Sequence, residues 1–309
     1  MEPIVTYDDE VAAEVRAAVG DGPGPVLVHL VRGFVDAGAT AGLLVDHLLA
    51  AGEPRRLATF DLDSMYDYRA RRPTMIFDAG RWTRYDRPEL VVDVVRDADS
   101  VPYLLAHGLE PDFRWEAYAA AMRDLVDRFL VPQVLTVHGV PMAVPHTRPT
   151  TVTAHANEAA DPPERSTWFG TVQVPASVSA FLEHRFEEWS LPAGGVAVHV
   201  PHYLTQSQFP QASRVAAEHL ERLSGLDLRS ADLAEAAAAA LADVEEQVAQ
   251  NPEVAAVVAG LEQQYDAFMA GADREGLLAG DLAIPTADEL GAQFEQFLAQ
   301  QPETDGPNP

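Results

Sequence analysis

Val26-Leu-Val-His-Leu-Val31 is a short, β-branched apolar run flanked by Gly and Pro, the pattern of a strand buried on both faces. Arg32-Gly-Phe34 leads from it to Asp36, whose carboxylate suits a helix N-cap. The small and apolar residues from Ala37 to Ala51 then predict a helix, stopped by Gly52 and Pro54. Arg56-Leu-Ala-Thr-Phe60 reads as a second strand, ending in Asp61-Leu-Asp63. Strand, helix and strand in this order predict a parallel βαβ unit, and with it an α/β fold.

The same reading extends outward. Thr74-Met-Ile-Phe77, Leu90 to Val95 and Val101 to Ala106 are strand-like with almost no helix between them, so an antiparallel insertion is expected and the sheet is mixed. A helix is predicted from about Asp112 to Leu130, with Trp115, Tyr118, Met122, Leu125 and Phe129 on one face. Asp112 and Glu116 would offset its dipole. Pro132 to Val137 returns to the sheet, Val152 to Ala154 is a further short strand, and Val196 to Val200 the last. Helices are expected after Pro175, with Val178, Phe181, Leu182 and Phe186 inward, and from Gln211 to Leu223. From Asp232 the text turns acidic and alanine-rich. Val254, Val257, Leu261, Tyr265 and Phe268 form a helical seam, and a last helix spans roughly Ala287 to Leu298. The resulting organisation is an α/β domain over residues 1–228, a helical C-terminal extension over 229–300 and a disordered tail over 301–309.

Composition narrows the chemistry. The 309 residues contain no cysteine, which excludes disulfides, thiolate nucleophiles and cysteine metal sites. They contain no lysine either: all 21 basic residues are arginine. Schiff-base chemistry and the lysine of a phosphate-binding P-loop are thereby excluded. A formal charge of −27 repels nucleic acid and anionic membranes. The basic cluster Arg69 to Arg72 could hold one anion. No apolar run is long enough to span a bilayer, and the acidic Met1 to Glu10 segment does not read as a signal peptide, so a cytoplasmic setting is expected.

The candidate site lies where strands end. Gly139-Val-Pro-Met-Ala-Val-Pro-His-Thr-Arg-Pro149 runs on to His155 and Asn157, and Val198-His-Val-Pro-His-Tyr-Leu204 repeats the chemistry later. His146, Arg148, His155, Asn157, His199 and His202 could together line a polar or anionic ligand pocket, since arginine offers a planar fork and imidazole moves protons near neutral pH. They could equally cap strand ends and satisfy carbonyls. Asp61 and Asp63, at the end of a parallel strand, join the candidates, and with Asp36 they could pair with Arg69, Arg71 or Arg72. The histidine spacings match no zinc motif, and neither a metal nor a cofactor is read from them. Ser177 and Ser179 stand at a helix start without the Gly-x-Ser-x-Gly elbow of a nucleophile.

Gly33-Phe-Val-Asp-Ala-Gly38, Glu110 to Glu116, Gly139 to Pro149, Val174 to Val178 and Val200-Pro-His-Tyr-Leu204 together resemble the actinobacterial branch of the proteasome assembly chaperone family, over about residues 5 to 225. The resemblance implies a three-layer α/β/α domain with a sheet like that of nucleoside phosphorylases and related hydrolases, followed by a helical extension. It also implies a non-catalytic assembly or protein-interaction role, a homo-oligomer and a proteasome-related protein partner. The alternative function is a small-molecule enzyme or sensor for a nucleoside or phosphorylated ligand, with Arg148 holding the anion and His146 or His202 as acid or base. Prokaryotic relatives labelled as ATP-grasp ligases would present lysines to ATP, which this chain lacks.

Overall fold

The computed structural model describes residues 4–20, 22–160 and 172–272. Its first elements were not anticipated: a short strand, β1 (Val5–Tyr7), and helix α1 (Asp9–Val19). Asp8 caps α1, accepting from the amides of Glu10 and Val11, and Val11, Ala12 and Val15 turn inward. β2 (Leu27–Arg32) is the apolar run itself. A 3-10 turn at Ala37–Ala39 separates it from α2 (Thr40–Ala51), and β3 (Arg55–Phe60) follows. Asp36 does cap α2, but from beyond that turn, accepting from Ala41 at 2.7 Å and Gly42 at 3.1 Å.

The connection from β3 carries a separate hairpin, β4 (Met75–Asp78) and β5 (Arg81–Tyr85). Next come β6 (Leu90–Arg96), β7 (Pro102–Leu109), α3 (Trp115–Phe129), β8 (Val134–Met142), β9 (Val152–Ala156), α4 (Val178–Glu188), β10 (Ala193–Pro201) and α5 (Pro210–Ser224). The expected acidic helices appear as α6 (Ala234–Gln250) and α7 (Pro252–Ala272). No helix among the described residues is long and apolar enough to cross a membrane.

Eight strands form one sheet in the order β1-β3-β6-β7-β2-β8-β10-β9. The β7–β2, β2–β8 and β8–β10 pairs are parallel, and the others are antiparallel. The sheet is therefore mixed, as expected. The simple βαβ unit needs correction: β3 runs in the direction of β2 but is separated from it by β6 and β7. The antiparallel pair inserts between them because its apolar residues, among them Leu90, Val92, Leu104 and Leu105, need neighbours on both sides.

Successive residues of β2 point to opposite faces. Leu27 packs with Val15 of α1, Met122 and Leu125 of α3, and Leu182 and Phe186 of α4. Val28 and Leu30 pack with Leu44 and Leu48 of α2 and Val215 and Leu220 of α5. Two apolar clusters thus sandwich the sheet, giving three layers. Each fully buried Leu or Phe contributes about 1.5–3 kcal/mol.

A compact unit runs from Met1 to Tyr265. Within it α6 packs on α5, and α7 buries Val258, Leu261 and Tyr265. The predicted seam holds at Leu261 and Tyr265, but at its start Val254 and Val257 are exposed and Val258 turns inward. The remaining unit begins at Asp266, and only the end of α7 is described there. The expected helix near Ala287 to Leu298 and the tail at 301–309 lie outside the described residues. Asp112 also differs from expectation. Instead of sitting in the first turn of α3 it accepts from the amide of Asp67 and pairs with Arg71 at 2.7 Å, while Arg114 occupies the left-handed cap position and Glu116 alone is the acid of the first turn.

Candidate functional site

Gly139 lies on β8 where the strand passes the 3-10 turn before α2. A Cβ there would fall 2.1 Å from the Ala37 carbonyl oxygen, so only glycine permits the approach. Beyond Met142 the chain leaves the sheet and brings His146 against Tyr203, which stands on a 3-10 turn after β10. The Tyr203 hydroxyl accepts from the His146 amide at 2.8 Å and lies 2.6 Å from its Nδ1. The hydroxyl donates to Nδ1 or accepts from Nδ1–H according to the tautomer of the ring. Burial pushes the imidazole below its usual range, partly offset by Glu245 and Glu262. His202 packs on the same tyrosine, ring centres 5.4 Å apart, and is likewise pushed down by burial.

Arg148 lies next in the loop with its Nη1 3.3 Å from the Glu262 carboxylate on α7. Thr147 donates to the same carboxylate, and the Tyr265 hydroxyl comes within 3.5 Å of the Pro149 carbonyl. His146, Arg148 and His202 therefore do gather, around Tyr203 and under α7.

The other candidates have separate duties. Asn157 is buried, donates to the Leu191 carbonyl at 2.8 Å and accepts from Ala160 and Ala193. It ties the end of β9 to the start of β10. His199 is 1% exposed and sits between the hydroxyls of Thr151 and Thr153, at 2.9 and 2.8 Å. Burial pulls it down to about 4. His155 places Nδ1 2.8 Å from Glu183, while its buried Nε2 has no hydrogen-bond partner among the described residues. Its neighbour is His138, ring centres 6.0 Å apart, which burial and His155 together push to about 4. His138 escaped the sequence reading although it adjoins Gly139.

Asp61 and Asp63 stay apart from this group, because β6, β7 and β2 lie between β3 and β8. Asp63 accepts from the Tyr68 hydroxyl at 2.7 Å, and Arg71 pairs with Asp112 instead of with either aspartate. Among the described residues, no group of three or more His, Asp or Glu could hold a metal ion.

The most exposed chemistry is elsewhere. Every residue of β4 and β5 is exposed. Ala79 and Gly80, both with positive φ, form the two-residue turn. Phe77 and Trp82, 59% and 64% exposed, meet edge to face at 5.0 Å. Around them the segment 68–88 holds six arginines against two aspartates, in a chain of charge −27. The sequence signal was present in Met75-Ile-Phe-Asp-Ala-Gly-Arg-Trp-Thr-Arg-Tyr85, where a two-residue turn separates aromatic-rich strands.

The sequence profile of the PAC2 family matches residues 30–248, from within β2 to near the end of α6. The chain belongs to the PAC2 family. Among solved structures it is similar to Mycobacterium tuberculosis Rv2714, a protein of unknown function, at 42% identity over 88% of this chain and 92% of that one, with a TM-score of 0.82. A protein of unknown function from Corynebacterium glutamicum is 33% identical over 87% and 98%, with a TM-score of 0.80. The Mycobacterium tuberculosis proteasome-assembly chaperone homologue Rv2125 is 25% identical over 75% and 99%, with a TM-score of 0.67. These PAC2 relatives are actinobacterial, in keeping with the branch the motifs resembled. No curated protein matches the chain.

Proposed function

We propose that this PAC2 protein is a non-catalytic assembly or interaction module that binds protein partners, itself among them, through the β4–β5 hairpin. The observation that carries the reading is the hairpin's exposure: a projecting ribbon of Phe77, Trp82 and Tyr85 with arginines between them. Contiguous exposed apolar surface of this kind marks interaction sites, and aromatic and arginine side chains dominate binding energy at interfaces. Its basic charge complements the acidic remainder of a second copy. The similarity to a proteasome-assembly chaperone homologue supports a proteasome-related partner as well. A cytoplasmic setting accompanies that role.

A small-molecule reaction through His146 and Arg148 has less support. Tyr203 occupies both the amide and Nδ1 of His146, and Glu262 lies against Arg148.

Sedimentation of the wild type and of a Phe77→Ser/Trp82→Ser variant tests self-association. The wild type should sediment as an oligomer, and the variant as a folded monomer. Capture of purified proteasome α-subunits should fall in parallel. A monomeric wild type that captures no α-subunit, or a variant indistinguishable from it, would overturn the reading.

A further inference from the structure

A cleft of about 640 Å3 opens between α2, the carboxyl ends of β2 and β7, and the base of the hairpin. Its position follows from the topology. β2 and β7 are parallel neighbours. Yet β2 leads to α2 on one face, and β7 leads to α3 on the other. Where neighbouring strands send their connections to opposite faces, a crevice is left at their carboxyl ends, and α/β sheets hold ligands there. Arg32, the last residue of β2, and Leu109, the last of β7, both line it.

The lining is chemically specific. Arg32, Arg72 and Arg87 border the cleft, and their side chains make no hydrogen bond or ion pair with any described residue. The acids along it are Asp46, Asp86 and Glu89. Asp86 is taken by Arg84 at 2.6 Å, and Glu89 lies 3.9 Å from Arg56. Arg32 feels the charge of Asp36 without forming an ion pair with it, and Asp46 also lines the cleft, but the donors of all three guanidiniums are available to an incoming anion.

His107 adds a fixed imidazole. Its Nε2 donates to Asp93 at 2.8 Å, and the other oxygen of Asp93 accepts from Arg56 Nε at 2.6 Å. Asp93 is 4% exposed, yet these two partners hold it below the usual carboxylate range against the opposing effect of burial. The ring is thus oriented by a buried, ionised carboxylate, and Nδ1 is left without a partner among the described residues. Leu30, Val45 and Leu49 supply an apolar wall.

We propose that this cleft binds a small molecule bearing a phosphate or carboxylate group on an apolar body. Arg32, Arg72 and Arg87 hold the anion beside the Asp93-oriented ring of His107, and the Leu30/Val45/Leu49 wall holds the body. The site is distinct from the His146/Arg148 loop and stands independently of the interaction role of the hairpin.

Titration calorimetry of the full chain with phenyl phosphate, benzoate and inorganic phosphate tests it. Saturable binding of phenyl phosphate or benzoate is expected, tighter than that of inorganic phosphate. Arg32→Gln and Arg72→Gln should each weaken it about tenfold, the loss of one charge-assisted hydrogen bond. Arg148→Gln should leave it unchanged. Preference between the two aromatic probes distinguishes phosphate from carboxylate. No saturable binding, or equal affinity in all three variants, overturns the proposal. Loss of self-association in Arg32→Gln without ligand binding by the wild type gives the cleft to a second copy and overturns it too.

Discussion

Tyr203 holds His146 twice, through the backbone amide at 2.8 Å and through ring Nδ1 at 2.6 Å. One hydroxyl therefore fixes both the path of the loop after β8 and the orientation of its histidine ring. Burial also pushes the phenol itself up to about 12, so it stays protonated throughout the neutral range.

Removing that hydroxyl should loosen the loop. Tyr203→Phe keeps the ring contact but leaves the amide and Nδ1 of His146 unsatisfied in a largely buried setting. The expected cost is about 1–3 kcal/mol, read from urea unfolding midpoints. Hydrogen exchange of the His146 amide should accelerate in the variant. An unchanged midpoint and exchange rate would show that water replaces the hydroxyl at no cost.

The Arg148–Glu262 contact should matter far less to stability. Both side chains are about one-third exposed, at 31% and 30%. Pairs so open to solvent are worth about 0–1 kcal/mol. Arg148→Ala, Glu262→Ala and the double variant form a cycle whose coupling should lie below about 1 kcal/mol and shrink with added salt. A larger, salt-insensitive coupling would show that α7 is locked onto the loop by this pair.

Much of the fold was legible because local patterns and global packing agree. The run from Val26 to Val31 had to be a buried strand, and Tyr118, Met122, Leu125 and Phe129 had to share a helix face. Adjacency was not legible. Nothing in β2 or β3 records that β6 and β7 come between them, because that choice is made by long-range pairing of equally apolar strands. The same ambiguity hid α1, although Asp8 ahead of Val11, Ala12 and Val15 is a cap followed by a helical stripe. At the site, residue types indicated polar work but not whether the partner is protein or ligand. Asn157 illustrates this. Its amide suits a ligand, yet the structure spends it on Leu191, Ala160 and Ala193. Asp61 and Asp63 looked like neighbours of the histidines only because strand order could not be read.

Gly139 offers a sharp steric test. Gly139→Ala would drive a methyl group toward the Ala37 carbonyl and Thr40 Oγ1, which a Cβ would approach at 2.1 and 2.5 Å. Both belong to backbone-anchored groups at the start of α2, so relief requires moving the helix. A loss of about 1–3 kcal/mol, typical of overpacking, is expected in thermal or urea unfolding. A neutral result would mean that the 3-10 turn yields readily.

Three largely desolvated histidines should make the protein acid-sensitive. His29, His138 and His199 are each pulled from 6.5 to about 4, in every case chiefly by burial. The unfolded chain takes up these protons below pH 6.5, whereas the folded chain does so only near pH 4. The unfolded state thus binds more protons across that window, and stability falls as pH drops through it. Above pH 6.5 their contribution is complete. At pH 5.5 each should already have lost about 1 kcal/mol, since one pH unit across such a gap is worth about 1.4 kcal/mol. Asp93, depressed below the ordinary carboxylate range, loses its share only at lower pH and does not confuse the window. Asp36, raised by burial, works in the opposite direction as pH falls. His146, His202 and His219 are pushed the same way by burial, so unfolding free energies from urea at pH 7.5 and 5.5 should differ by a few kcal/mol, of which His199→Gln should remove about 1 kcal/mol. Equal midpoints at the two pH values would mean that the buried rings reach solvent, and the packing around β8 and β10 described above would then be wrong.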